Sequence, residues 1–201
     1  MFVDIHTHVD NQAVIRITDG VSEKILKTWG IHPWEVENAR NENMSIDAYF
    51  AIGEVGLDKV HKESFEKQKE VFEEMIRLSE SYRKPVIVHC VRAYSEIIEN
   101  RKKTKATMPW VIHGFNSSVE TMRQLLRYDI YISLGEILYH NENQSIKILN
   151  NIPIERLFLE TDVSGRDIRD VYGKAASLME LDVEFLENKI FENYGRLETA
   201  H

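Results

Sequence analysis

The chain has 201 residues, 43% hydrophobic and 29% charged, which fits one globular domain spanning residues 1–201 and excludes a disordered or low-complexity protein. A net charge of −8 excludes nucleic-acid binding over a broad basic face, while leaving room for a nucleic acid held locally as substrate. One cysteine, Cys90, rules out an intramolecular disulfide, and the lack of a signal-like N-terminus or a membrane-length apolar run leads us to expect a soluble cytoplasmic protein with no membrane partner.

In chain order, short apolar strands alternate with amphipathic helices. Phe2–Ile5, Ala13–Ile17 and Ile25–Gly30 are the first three strands, with Thr18-Asp19-Gly20 as a turn signal between the second and third. Tyr49–Glu54 precedes a helix over about Glu63–Tyr82, whose inward stripe reads Phe65, Phe72, Met75, Ile76, Ser79 and Tyr82. Pro85–His89 contains the continuous run Val86-Ile87-Val88 expected of a strand buried on both faces. A helix with Tyr94, Ile97 and Ile98 inward leads to Trp110–His113. Ser117-Ser118-Val119-Glu120 reads as a capping box opening a helix with Met122, Leu125 and Leu126 inside. Ile130–Leu134, a helix over Asn143–Asn150 and the strand Leu157–Glu160 come next. Two helices finish the chain, Ile168–Met179 and one capped by Asp182 and closed by Gly195.

This alternation predicts an α/β fold of the (β/α)8 barrel type. The front end departs from the ideal, because the gaps around the second strand are shorter than the dozen or so residues a parallel crossover needs. Strands two and three are therefore expected to form an antiparallel hairpin, with flanking helices missing there.

The polar residues that carry chemistry sit at the strand ends. His6 and His8 are two apart on a strand and so share a face. His32, Glu54, His89, His113 and Asp162 follow at the ends of other strands, and in a barrel these ends meet on one rim, where active sites of this fold lie. His6, His8, Glu54, His89, His113 and Asp162 form a mixed imidazole and carboxylate set suited to zinc, manganese or a similar divalent ion. Six ligands exceed one tetrahedral ion and match two, with Glu54 bridging. His61, His140 and His201 stand in polar or terminal contexts and read as ordinary surface residues. Cys90 reads as a buried structural thiol. Arg92 and Trp34 lie just past strand ends, where a cation or a flat ring could hold substrate.

The segments Asp4-Ile5-His6-Thr7-His8, Gly30-Ile31-His32-Pro33, Ile52-Gly53-Glu54-Val55-Gly56-Leu57-Asp58, Pro85-Val86-Ile87-Val88-His89, Ile112-His113-Gly114-Phe115 and Leu159-Glu160-Thr161-Asp162 together resemble a TatD-type metal-dependent hydrolase, of the amidohydrolase-like barrel superfamily. The resemblance implies a distorted TIM barrel of metal-dependent hydrolase type, with helices reduced around strands two and three, and a deoxyribonuclease-like phosphodiesterase using two divalent ions (Zn, Mn or Mg). It implies that His6, His8, Glu54 and Asp162 hold one ion and Glu54, His89 and His113 the other, with His32 and Arg92 near the substrate phosphate. Asp162 would act as general base on a metal-activated water, with Glu54 as its catalytic partner, while Asp4 and Glu160 fix ligand tautomers. The chain resembles a compact variant, since the segment after Asp162 reads only Val163-Ser164-Gly165-Arg166 where typical members carry a long loop. Two other readings fit the same ligands: a hydrolase of a small ester, amide or phosphoester, or a non-catalytic metal-binding assembly module using an exposed apolar flank. The expected partner is a nucleic-acid substrate, DNA first, with the chain a monomer or weak homo-oligomer.

Overall fold

The computed structural model describes residues 1–9, 12–38 and 45–199, so His201 lies outside the described residues. The strands are β1 (Phe2–Val9), β2 (Gln12–Thr18), β3 (Glu23–Trp29), β4 (Ala51–Asp58), β5 (Val86–Val91), β6 (Trp110–Ile112), β7 (Ile130–Leu134) and β8 (Leu157–Leu159). The helices are α1 (Phe65–Tyr82), α2 (Tyr94–Thr104), α3 (Val119–Leu126), α4 (Ile137–His140), α5 (Glu142–Leu149), α6 (Ile168–Met179) and α7 (Val183–Glu198). The strands form one sheet in sequence order, β1 to β8. Pairing is antiparallel from β1 to β2 and from β2 to β3, and parallel from β3 onward. Thus β2 alone among these strands runs backwards, and the C-terminal ends of β1, β3, β4, β5, β6 and β8 share one rim.

The expected hairpin of β2 and β3 is present, and β1 pairs antiparallel with β2 as well. Its turn is held by the Asp19 carboxylate, whose Oδ1 accepts the N–H groups of Val21 and Ser22 at 2.8 and 2.7 Å, while Gly20 takes a positive φ of 89°. On β3, Glu23, Lys24, Ile25 and Lys27 are exposed.

The sheet closes into a barrel between β8 and β1. Thr7 and Asp162 form a parallel bridge, and the Asp162 N–H donates to the His6 carbonyl at 3.0 Å. Lower on β1, the Tyr172 hydroxyl from α6 accepts the Val3 N–H at 3.1 Å and donates to the Val3 carbonyl at 3.0 Å. A side chain thereby satisfies backbone groups that a longer β8 would have paired. The core fills the barrel and the helix–sheet layer with Ile5, Ile15, Ile52, Ile87, Ile112, Ile132 and Phe158, all fully buried.

Local details differ from expectation for definite reasons. In α1, Tyr82 falls in the last turn before left-handed Arg83 and is exposed, while Gln68 is buried because its amide serves backbone groups, accepting from the Asp58 N–H and donating to the Asp58 carbonyl. Ser118, not Ser117, caps α3, accepting the Thr121 N–H at 3.1 Å. Asn141 caps α5, so that helix begins at Glu142. Asp182 caps α7 as expected, but that helix continues through Gly195 to Glu198. Among the described residues no helix is long and apolar enough to cross a membrane.

Candidate metal centre

Glu54 stands at the middle of the rim, 9% exposed, with one carboxylate oxygen turned to each side. Its Oε2 faces His6 Nε2 at 3.3 Å and His8 Nε2 at 3.8 Å. Asp162 Oδ1 completes that side, 3.6 Å from His6 Nε2 and 3.5 Å from His8 Nε2. Glu54 Oε1 faces the other side, 2.6 Å from His89 Nδ1, 2.7 Å from His113 Nε2 and 3.3 Å from His32 Nε2. Three overlapping sets of potential ligand atoms result, His6/His8/Asp162, His6/Glu54/His113 and His32/Glu54/His89, each with its atoms within 4.8 Å of one another.

Strand geometry accounts for the convergence. His6 and His8 project from alternate positions of β1 to the same face. Gly56, with φ at 152°, pairs with His89 across β4 and β5, and a Cβ there would lie 1.9 Å from the His89 carbonyl oxygen. Only glycine lets β5 come this close beside the site. Asp162 takes a left-handed backbone conformation, φ 48°, just after β8.

The electrostatics favour the ligand-ready protonation states at Glu54, Asp162 and His113, and the protonated form at His8. Burial alone would push Glu54 up, but the surrounding imidazoles of His113, His32, His6 and His89 outweigh it and hold the carboxyl far below the usual range. Burial also works against the Asp162 charge, and the His8 hydrogen bond with the nearby His113 and His6 overcomes it, so this acid too is lowered. Burial, helped by His6 and opposed by Glu54, pushes His113 down to about 4, leaving a neutral imidazole. His8 is raised, chiefly by its hydrogen bond to Asp162.

Two buried acids lie behind the candidate ligands, and neither hydrogen-bonds one of their rings as expected: Asp4 is bound to Thr161 and Arg16, and His113 Nδ1 has no hydrogen-bond partner. Glu160 accepts the Gly114 N–H at 2.5 Å and lies 4.0 Å from His113 Nδ1; burial, with the Asp162 and Asp4 charges, drives its carboxyl well up, against hydrogen bonds from Ser133 and Gly114. Burial pushes Asp4 up to about 6, partly offset by hydrogen bonds from Thr161 and by Arg16.

The residues present fit a divalent ion. His6 Nε2, which faces Glu54 and Asp162, is buried without a hydrogen-bond partner, a costly state for a ring nitrogen unless another ligand uses it. Imidazole nitrogens with carboxylate oxygens are the donor set of zinc and manganese sites.

The site brings together all six residues expected as ligands and adds His32, expected only beside the substrate. Arg92 is exposed after β5, with φ 56°. It is absent from the lining of a cavity of about 560 Å³ that opens onto His8, His32, Glu54 and Asp162. Asp58 escaped the sequence reading, while His61, read as a surface residue, is exposed. Asp58 is buried and accepts the Trp34 indole N–H at 2.7 Å, and His61 places its ring 5.0 Å from that of Trp34. Asp58 lies in the same conspicuous segment as Glu54, the signal that could have marked it.

Comparison with known proteins agrees with this geometry. The family model for TatD related DNase matches residues 1–198. A protein of Buchnera aphidicola subsp. Acyrthosiphon pisum named as an uncharacterized metal-dependent hydrolase is 30% identical over 80% of this chain and 67% of its own length. Schizosaccharomyces pombe deoxyribonuclease Tat-D is 24% identical over 79% of this chain and 49% of its own length. The crystal structure of the TatD homolog YjjV from Escherichia coli K12 superposes with a TM-score of 0.76 at 21% identity, covering 86% of this chain and 76% of that one. The chain belongs to the TatD related DNase family and is a metal-dependent hydrolase.

Proposed function

We propose that the protein hydrolyses phosphodiester bonds, with DNA as first candidate substrate, and that the residues on either side of Glu54 would hold two divalent ions. The observation that carries the reading is the division of labour at Glu54, whose Oε2 faces His6 and His8 while Oε1 faces His32, His89 and His113. His6, His8 and Asp162 would hold one ion, and His89 and His113 the other. Divalent ions bound there would lower the pKa of water toward neutrality and neutralise charge on the phosphoryl oxygens.

The protein's own residues do the rest. Asp162 is the general base. Its carboxylate is kept ionised by His8 and stands partly open to the cavity, 32% exposed, where it can accept a proton from the attacking water. The bridge between Thr7 and Asp162 holds that carboxylate against β1. His32, 20% exposed, borders the cavity on the Glu54 side, beside where a substrate phosphate would lie. Arg92 carries no ion pair among the described residues and could contact a phosphate outside the cavity.

One observation favours a second reading, hydrolysis of a small phosphoester: no Lys or Arg lines the cavity among the described residues. Digestion of an end-labelled single-stranded oligonucleotide with manganese or magnesium decides between them. Fragment release by the wild type, lost in Asp162→Asn with metal binding retained, supports the proposal. An intact strand alongside a cleaved small phosphomonoester overturns it.

A further inference from the structure

Trp34 is an unusual combination of exposure and constraint. Its side chain is 58% exposed, yet its indole N–H is bound at 2.7 Å by Asp58, itself buried and fixed by the Val60 N–H on its other oxygen. The Trp34 N–H meets His32 Nδ1 at 3.2 Å, and the two rings contact edge to face at 4.7 Å. The ring is therefore held in one orientation in water, at the expense of the free energy that burying so large a surface would release. It borders the cavity that holds His32, Glu54 and Asp162, to which Trp29 and Tyr49 add further rings and to which no Lys or Arg contributes among the described residues. A nucleotide bound here is not gripped through its phosphates by side-chain cations. An aromatic face is one source of affinity available beside the metal centre.

We infer that Trp34 is a stacking platform for a nucleobase of an unpaired strand, next to the phosphate presented to Glu54 and Asp162. The inference rests on the phosphodiesterase reading and extends it by naming the group recognised. A base inside a duplex offers no free face and must first be unstacked, so single strands are favoured. Every base has a π face, so sequence preference is weak. Few phosphates are engaged, so binding depends shallowly on salt.

The experiment compares a short oligothymidylate, its abasic counterpart and a duplex of the same length, with wild type, Trp34→Ala and Trp34→Phe. Expected is a loss of about 5- to 150-fold in kcat/KM for Trp34→Ala on the oligothymidylate, carried by KM, with little change on the abasic strand. Trp34→Phe keeps a stacking face but loses the bond to Asp58, so it retains most of the wild-type value. If Trp34 served only to position His89 through Asp58, both variants would fall alike on both strands, and the inference is overturned. A second readout needs no metal: the oligothymidylate quenches wild-type tryptophan fluorescence more than the abasic strand does, and that difference disappears in Trp34→Phe. Equal quenching by both strands, or faster cleavage of the duplex, also overturns it. If the wild type cleaves no strand, the phosphodiesterase reading fails, and the quenching comparison still decides the platform.

Discussion

Thr161 donates both its backbone N–H and its hydroxyl to the Asp4 carboxylate, at 2.9 and 2.7 Å, joining the last strand to the first. Arg16 on β2 donates to the same carboxylate at 3.1 Å, so one buried acid ties three segments of the barrel at its seam. Asp162, adjacent to Thr161, takes its place in the metal centre from this seam.

Replacing Asp4 with Ala leaves the two Thr161 donors and Arg16 without their acceptor. The expected loss of stability is about 3 kcal/mol, read as a lower urea midpoint at unchanged slope. Thr161→Val, which removes only the hydroxyl donor, costs about 1 kcal/mol. A negligible change in Asp4→Ala would mean that the seam is held by the β1–β8 contacts alone.

Glu54 is the carboxylate that both halves of the site face, so its loss is felt by every ion the site binds. Saturating manganese raises the thermal midpoint of the wild type, by the equivalent of about 2.7 kcal/mol at a hundredfold excess over the dissociation constant. Glu54→Gln abolishes most of that rise. A variant that still gains the full shift would place the ions elsewhere.

Glu160 acts on His113 through position. Glu160→Ala removes the acceptor of the Gly114 N–H and the carboxyl facing His113 Nδ1. Metal affinity by titration calorimetry falls about 10- to 100-fold. Glu160→Gln keeps the size and an acceptor, and because burial already drives this carboxyl toward its neutral form, the amide is the milder change. Equal losses in the two variants would exclude a role tied to shape and hydrogen bonding.

Cys90 is 6% exposed, and burial pushes its thiol up to about 12. Iodoacetamide at about pH 8 therefore modifies the native protein about a thousandfold more slowly than the urea-unfolded chain. Rapid native labelling, followed by mass spectrometry, would show that β5 opens readily.

Much of the site was legible because its signals are local. Alternation along β1 puts His6 and His8 on one face whatever the rest of the chain does. Glu54, His89, His113 and Asp162 each end or follow an apolar run, and strand direction alone carries them to a common rim. His32 was harder, because Gly30-Ile31-His32-Pro33-Trp34 lies outside any strand and no periodicity directs its side chains. Gln68 and Asp58 were hidden for a related reason: a polar residue is buried when a partner satisfies it, and that partner is ten residues away in sequence.

The alternating strands and helices, the shortened front of the barrel and the candidate ligands could be read from the chain alone, since these follow from periods of two and 3.6 residues and from side-chain chemistry. The folded barrel adds that β1 also pairs antiparallel with β2, that Asp4 and Thr161 close the seam, that His32 turns a ring nitrogen toward Glu54 and that Asp58 holds the Trp34 indole beside them. Those outcomes depend on register and side-chain rotamers between distant segments, which the packing of the closed barrel selects.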